Sequence, residues 1–222
     1  MIPGADTSHV MPTLETPIIK VCGLTNTEDA RHAIHAGANA LGFVAVEESP
    51  RAISPDQIRS IVGALPTGTP TVLVTVESSP NRILELCELS GTNHVQLCGP
   101  ADPPSFRGFP FPVLRRIGVD DSAKQEILSW TAMASYFILD HPASPGGSGK
   151  KVDLDVAKEL AGEFPCVLAG GLDGASVARA IEVVRPLGVD ASSRLEYHAG
   201  RKDPTRVHDF VHGARRALEA LA

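Results

Sequence analysis

The chain has 222 residues, of which 43% are hydrophobic, and its formal net charge is −6. The hydrophobic content suffices for a sizeable core and excludes a disordered chain, and the acidic balance argues against a general nucleic-acid binder. The four cysteines, Cys22, Cys87, Cys98 and Cys166, form no CxxC pair and have no zinc-ligand spacing. We therefore expect no metal centre, no disulfide framework and a reducing cytoplasm.

The two ends of the chain carry no sign of a membrane or export segment. No stretch approaches the roughly 18–20 apolar residues of a membrane span. Residues 1–16, MIPGADTSHVMPTLET, lack the apolar segment of a signal peptide. We interpret residues 1–16 as a flexible tail and residues 17–222 as a single domain.

Short β-branched segments recur along the domain, and several are nearly continuous apolar runs, as strands buried on both faces are. The predicted strands are Ile18–Cys22, Ala38–Val44, Thr71–Val76, His94–Leu97, Pro112–Ile117, Tyr136–Asp140, Cys166–Ala169 and Gly188–Ser192.

Segments of helical periodicity separate these strands, and several have capping residues. Thr25 or Thr27 is expected to cap the first helix, and Gly37 to end it. Ser54 with Pro55 starts the second. Further helices are predicted in SPNRILELCELSG, DDSAKQEILSWTAM, LDVAKELAGE, DGASVARAIEVVRP and DPTRVHDFVHGARRALEALA. The segment CGPADPPSFRGF after the fourth strand is short and proline-rich, and its helical pattern is the weakest of the set.

Strict alternation of strands and helices implies parallel strands with right-handed crossovers. Eight such units within residues 17–222 predict a single α/β domain, a (β/α)8 TIM barrel. A doubly wound sheet is the alternative.

In a barrel of this type, functional side chains lie at the carboxyl ends of the strands and in the following loops. Cys22 ends the first predicted strand, Asp140 ends the sixth, and Arg51 lies in the loop after the second. Because side chains alternate along a strand, Lys20 shares the inward face with Cys22. A buried ammonium needs a partner, and Asp190 on the eighth strand is the predicted one.

A thiol and a carboxyl group in one pocket suit proton transfer. A thiolate can accept a proton, and a nearby cation lowers the pKa of the thiol. A carboxyl group in a dry pocket can donate one. Cysteine at a strand end is also typical of a small buried hydrophobic residue, and Asp140 is equally compatible with a capping carboxylate.

Two glycine-rich segments follow strands six and seven. Glycine lets backbone N–H groups approach phosphate oxygens, and AGGL, residues 169–172, lies where barrels frequently bind phosphate. PGGSGK, Pro145–Lys150, lacks the spacing of a P-loop, and we interpret it as a mobile lid over the mouth. The histidines of the first outer helix, His32 and His35, are expected to be solvated.

Several of these segments together resemble one family. KVCGLTNTEDA, AGANALGFV with SPRAIS, HVQLCG, FILD with PGGSGK, LAGGL, and GVDASSRLE with GRKDP occur in order from about residue 18 onward. In this combination they resemble phosphoribosylanthranilate isomerase of tryptophan biosynthesis.

The resemblance implies a barrel without a cofactor that converts N-(5-phosphoribosyl)anthranilate to 1-(2-carboxyphenylamino)-1-deoxyribulose 5-phosphate by an Amadori rearrangement. It makes Cys22 the general base and Asp140 the general acid. Arg51 matches the arginine that contacts the anthranilate carboxylate. The full set of expected substrate-binding residues is Arg51, Gly147, Gly149, Gly170, Gly171, Asp190, Ser192, Ser193 and Arg194. The expected partner is this small phosphorylated substrate, with no nucleic acid and no membrane, in a monomer or homodimer.

The chain departs from the family pattern at three positions. Cys98 stands where the family usually has histidine, Arg194 where it usually has a small residue, and Ser176 where it often has asparagine. These departures leave open a related isomerase that acts on another N-ribosyl phosphate or aminoaldose phosphate. A non-catalytic barrel that binds a phosphate ligand is the third possibility.

Overall fold

The computed structural model describes residues 14–142 and 151–221. Eight parallel strands close into a barrel in sequence order. They are β1 (Ile18–Val21), β2 (Ala40–Val44), β3 (Thr71–Thr75), β4 (His94–Leu97), β5 (Val113–Gly118), β6 (Tyr136–Asp140), β7 (Cys166–Leu168) and β8 (Gly188–Ala191). Each predicted strand is confirmed to within two residues at either end.

Helices on the outside connect most of the strands. They are α1 (Thr27–Ala36), α2 (Pro55–Val62), α3 (Pro80–Ser90), α4 (Ala123–Trp130), α5 (Leu154–Glu163), α6 (Val177–Val184) and α7 (Pro204–Glu219). In the described part of the chain, no helix is long and apolar enough to cross a membrane.

The connection between β4 and β5 contains a short 3-10 helix, Pro103–Phe106, in place of the expected α-helix. Proline is tolerated in the first turn of a helix, but Gly108 has a positive φ of 75° and Pro110 follows it, which explains why a longer helix does not form.

Two predictions about helix starts have different outcomes. Ser54 caps α2 with a reciprocal capping box through Gln57, as predicted. The prediction for α1 was wrong: Asn26 is the N-cap, and its side-chain oxygen accepts from the backbone N–H of Asp29 at 2.8 Å. Asparagine is as good a cap as threonine or better, because its carbonyl oxygen reaches the same backbone donor.

The barrel closes where β8 pairs with β1 in parallel register, with Lys20 opposite Asp190. Gly188 permits this seam, since a Cβ atom there would lie 2.3 Å from the carbonyl oxygen of Ile18. Closure confirms the predicted barrel and excludes the doubly wound alternative.

The apolar core of the described residues has two main parts, and a third, small cluster of Cys22, Val44 and Val74 lies at the mouth of the barrel. The larger part lies between the strands and the outer helices and includes Trp130 and Phe43. The smaller part fills the barrel near the amino ends of the strands, where Ile18 and Val72 meet Leu14. Leu14 falls within the expected tail but is buried; the rest of that tail, residues 1–13, lies outside the described residues.

After β8 the chain forms a short 3-10 helix, Ser193–Leu195, and a small antiparallel hairpin. The hairpin strands are β9 (Glu196–His198) and β10 (Arg201–Lys202). This hairpin leads directly into α7, and it brings two buried charged residues, Glu196 and Lys202, close to the mouth of the barrel.

Candidate active site

A pocket opens at the carboxyl ends of the strands, and it collects most of the residues predicted from the sequence. Nine of them line it: Cys22, Arg51, Asp140, Gly170, Gly171, Asp190, Ser192, Ser193 and Arg194. The other two, Gly147 and Gly149, lie outside the described residues, as does the expected lid.

Cys22 directly follows β1, and its thiol lies inside the mouth with 7% of the residue exposed. Gly42 on the neighbouring strand makes the space, because a Cβ atom there would lie 2.6 Å from Sγ of Cys22. Burial raises the pKa of the Cys22 thiol, and the Lys20 ammonium offsets part of that rise. The general expectation that a nearby cation lowers the pKa of a thiol left out this larger effect of burial.

Lys20 lies one layer deeper in the barrel and is completely buried. Its Nζ donates to Oδ2 of Asp190 at 3.0 Å, which confirms the predicted pair. Burial opposes the charge, but the neighbouring Asp190 and Cys22 outweigh it and raise the pKa of Lys20. A positive charge, paired with Asp190, therefore lies beneath the thiol and below the residues that line the pocket.

Asp140 ends β6 and is held by two groups that the sequence prediction did not include. Nε of Arg116 lies 3.4 Å from Oδ2 of Asp140, and the backbone N–H of His141 donates to its Oδ1 at 2.8 Å. Arg116 also donates to the carbonyl oxygen of His141 at 2.7 Å. The alternation of Leu114, Arg116 and Gly118 along β5 would have placed this arginine on the inward face.

Arg51 forms a forked ion pair with Glu196, in which Nε donates at 2.8 Å and Nη2 at 2.7 Å. Lys202 donates to the same carboxylate at 2.8 Å. Burial opposes ionisation of Glu196, but the hydrogen bonds and charges of Arg51 and Lys202 prevail and lower its pKa. Gly23 lets this arginine lie against the chain: its φ is +73°, and a Cβ atom there would be 2.5 Å from the Arg51 side chain.

The loops after β7 and β8 form another wall of the pocket. Gly170 and Gly171 both have positive φ, 83° and 71°, which turns the backbone sharply at the end of β7. Ser176 donates from its hydroxyl group to Asp173 at 2.7 Å and so fixes the start of α6. Arg194 is exposed at the rim of the same pocket.

The wall formed by β4 contains Gln96 and Cys98. Burial raises the pKa of Cys98 to about 11, so this group is a neutral thiol near neutral pH. Nε2 of Gln96 donates to Sγ of Cys98 at 3.5 Å. As expected, His32 and His35 are exposed on α1. No cluster of metal-binding side chains occurs in residues 14–142 and 151–221.

This pocket, with a thiol and a carboxyl group at the strand ends and glycine turns beside them, agrees with a comparison of the sequence with known proteins. The sequence model of the family described as N-(5'phosphoribosyl)anthranilate (PRA) isomerase matches residues 19–213. The chain belongs to this family.

Individual family members are similar to the chain over nearly its whole length. The N-(5'-phosphoribosyl)anthranilate isomerase of Pelobacter propionicus is 37% identical over 199 residues, which are 89% of this chain and 95% of the relative. The crystal structure of phosphoribosyl anthranilate isomerase from Thermotoga maritima is 34% identical, with a TM-score of 0.82 and coverage of 90% of this chain and 98% of that one. A structure of the isomerase in complex with reduced 1-(o-carboxyphenylamino)-1-deoxyribulose 5-phosphate is 32% identical, with a TM-score of 0.80 and the same coverage.

The structure shows where the three departures from the family pattern lie. Cys98 lies in the pocket wall and Arg194 on the rim, whereas Ser176 stabilises the start of α6. None of the three lies in direct contact with Cys22 or Asp140 through a hydrogen bond or ion pair between the described residues. The departures therefore alter the surroundings of the pocket and leave its thiol and carboxyl groups in place.

Proposed function

We propose that this chain converts N-(5'-phosphoribosyl)anthranilate to 1-(2-carboxyphenylamino)-1-deoxyribulose 5-phosphate, with Cys22 as general base and Asp140 as general acid. The observation that carries the proposal is the common pocket that these two side chains line at the mouth of the barrel. Membership of the isomerase family supports the same reaction.

The first half of the proposed reaction opens the ribose ring. Asp140 gives its proton to the ring oxygen while the bond between that oxygen and C1 breaks. The nitrogen lone pair of the anthranilate forms the C1 iminium as the ring opens. Arg116 and the His141 amide group hold the Asp140 carboxyl group in position for this transfer.

The second half moves a proton from carbon. The thiolate of Cys22 takes the proton from C2, and the electrons of the C–H bond form a C1–C2 double bond while the iminium nitrogen becomes neutral. The resulting enol then tautomerises to the ketone. The Lys20 ammonium favours the thiolate, because it places a positive charge next to the sulfur.

The remaining pocket residues position the two charged ends of the substrate. The turns at Gly170 and Gly171, with Ser192 and Ser193, would hold the phosphate group, and Arg194 adds a charge at the rim. Arg51 would bind the anthranilate carboxylate. Its contacts with Glu196 use two of the three guanidinium nitrogens, and Nη1 is the third.

A fluorescence assay tests the proposal, since the anthranilate-type fluorescence of substrate made in situ should fall on turnover. Cys22→Ser and Asp140→Asn should each lower kcat by roughly 10²–10⁴, the usual contribution of one acid or base group. Asp56→Asn is a matched control, because Asp56 is exposed on α2 outside the pocket. Full activity in both pocket variants would show that the assigned roles are wrong.

The second candidate is an isomerase for another N-ribosyl phosphate, and Cys98 is the observation that favours it. A neutral thiol replaces the histidine usual in this wall, so the pocket offers different hydrogen bonds there. Inactivity of the wild type on phosphoribosylanthranilate, together with turnover of another N-ribosyl phosphate, would favour this candidate. Binding of phosphate without turnover of either substrate would favour a binding protein.

We place the reaction in the cytoplasm, and the four free cysteines of the chain support a reducing compartment. The oligomeric state is expected to be a monomer or a homodimer, and sedimentation velocity distinguishes the two.

A further inference from the structure

Two buried acceptor atoms in the pocket have no hydrogen-bond partner. Within residues 14–142 and 151–221 they are the only buried side-chain nitrogen or oxygen atoms of this kind: Oε1 of Gln96 and Oδ1 of Asp190. Both residues are more than nine-tenths buried, with 5% and 7% exposed, and both line the pocket. An unpartnered buried acceptor costs free energy until a donor reaches it.

The other polar atom of each side chain is already engaged. Nε2 of Gln96 donates to Sγ of Cys98 at 3.5 Å, and Oδ2 of Asp190 accepts from Lys20 at 3.0 Å. With these contacts, Oε1 of Gln96 and Oδ1 of Asp190 are the atoms left for a ligand. Cys98, one of the three departures from the family pattern, is the contact of the Gln96 amide group.

The two acceptors belong to β4 and β8, which lie opposite each other in an eight-stranded barrel. Gln96 is two residues before Cys98, and Asp190 is paired in register with Lys20, two residues before Cys22. Both acceptors therefore lie one layer below the residues at the mouth. A ligand that enters the mouth meets one acceptor on each side.

The chemistry of the acceptors limits which part of a substrate they can bind. Phosphate and carboxylate groups are acceptors near neutral pH, and the single N–H that joins the sugar to the aromatic ring cannot serve acceptors on opposite sides of the pocket. The hydroxyl groups of a sugar chain are donors. A site built to bind a hydroxyl group also rejects an analogue that lacks it, because the buried protein group is then left unpaired.

We propose that Oε1 of Gln96 and Oδ1 of Asp190 accept hydrogen bonds from hydroxyl groups of the sugar chain and so select a fully hydroxylated N-substituted sugar phosphate over deoxy analogues. This inference rests on the proposed isomerase function and adds Gln96 as a positioning and specificity-determining residue. Neither side chain exchanges a proton with the substrate in this role.

Calorimetry with the reduced product analogue, and with versions that lack one hydroxyl group of the sugar chain, tests the proposal. In the wild type, removal of the hydroxyl group that contacts Gln96 should weaken binding about tenfold. In Gln96→Met, which keeps the side-chain length without the acceptor, the full analogue should bind about tenfold more weakly. Removal of the same hydroxyl group should then have little further effect.

Asp190→Asn should show the same loss of coupling for a different hydroxyl group, because the one amide oxygen is needed by Lys20 and a donor NH2 group then replaces Oδ1. Two results would overturn the proposal. In the first, the affinity lost by the substitution and the affinity lost by removing a hydroxyl group simply add for every deoxy analogue. In the second, the deoxy analogues bind the wild type as tightly as the full analogue does. The comparison of deoxy analogues with the full analogue on the wild type needs no variant. The proposal therefore stays testable if the Gln96→Met protein fails to fold. Wild-type turnover of phosphoribosylanthranilate tests the underlying function separately. If the wild type is active and the two losses of affinity add, this inference is refuted and the proposed function is not.

Discussion

Two sets of buried polar residues lie near the barrel mouth. They differ in how completely their charges and hydrogen-bond acceptors are paired. The inner polar cluster consists of Lys20, Cys22, Gln96 and Asp190, inside the barrel. The outer ion network consists of Arg51, Glu196 and Lys202, between the pocket and the hairpin after β8. In the outer network both carboxylate oxygens accept from cations. In the inner cluster two acceptors lack partners.

The difference separates a structural role from a functional one. A buried charge network with matched partners stabilises one arrangement of the chain, since removal of any member leaves an uncompensated charge. A buried cluster with unpaired acceptors is less favourable by itself and becomes satisfied when a ligand supplies donors. We therefore expect changes at Glu196 and Lys202 to affect mainly stability, and changes in the inner cluster to affect mainly catalysis and binding. Arg51 belongs to the outer network and is also the proposed partner of the anthranilate carboxylate, so its loss should affect both.

The largest expected effect is on stability, in the outer network. Glu196→Gln leaves Arg51 and Lys202 buried without a counter-charge, so the free energy of unfolding should fall by about 3–5 kcal/mol. Urea unfolding followed by circular dichroism measures the change. The control is Glu85→Gln, which removes an exposed ion pair with Arg82 and should cost roughly 0–1 kcal/mol. Equal losses in the two variants would remove the distinction between the network and a surface pair.

The same network predicts how stability depends on pH. The pKa of Glu196 is lower in the folded than in the unfolded protein. Its stabilising contribution is therefore fully present above the unfolded pKa and is lost as the pH falls through the folded pKa. Relative to wild type, Glu196→Gln should lose less stability on acidification, and parallel curves for the two proteins would contradict the assignment.

The second effect is on catalysis, in the inner cluster. In Gly42→Ala the new methyl group would lie 2.6 Å from Sγ of Cys22 and 3.1 Å from Nζ of Lys20, so the thiol must move. A displacement of this size should lower kcat by about 10²-fold. Gly162→Ala on α5 is the control, because a Cβ atom there meets nothing within 4 Å. An unchanged kcat in Gly42→Ala would mean that the thiol position is not important for the reaction.

A third effect concerns the protonation of Cys22. Because burial raises the thiol pKa while Lys20 offsets part of the rise, Lys20→Met should move the pKa further upward. The pH profiles of kcat/KM and of Cys22 alkylation should both shift to higher pH. The double variant Lys20→Met/Asp190→Asn avoids an unpaired buried carboxylate and should shift in the same direction, since Lys20 affects the thiol more strongly than Asp190 does. A shift to lower pH would contradict the role of Lys20.

The smallest effect belongs to a charge outside both groups. Arg194 is exposed at the rim, and an exposed charge contributes at most about 1 kcal/mol. Arg194→Ala should raise KM a few-fold, with kcat unchanged and with a smaller difference at high salt. A change of KM beyond tenfold would place this arginine in the phosphate site proper.

The barrel and much of its mouth could be predicted because they depend on local patterns. Alternation along β1 and β8 predicted the pair of Lys20 and Asp190, although 170 residues separate them. Strand ends likewise identified Cys22 and Asp140. The contact of Arg51 with Glu196 was missed, because Glu196 lies in a short hairpin whose position no periodic pattern determines. The unpaired acceptor of Gln96 was missed for another reason: whether a buried amide finds a partner depends on packing across the barrel.

The seam between β1 and β8 also affects when the site can form during synthesis. The first strand and the residue after it contribute Lys20 and Cys22, but the counter-charge of Lys20 is on β8, the last strand of the barrel. In a nascent chain that lacks β8, Lys20, which is buried in the folded barrel, has no Asp190 carboxylate to neutralise its charge. Contacts so distant in sequence are slow to form. Catalytic activity during translation should therefore appear late and nearly all at once, as a sign that the ring of strands has closed.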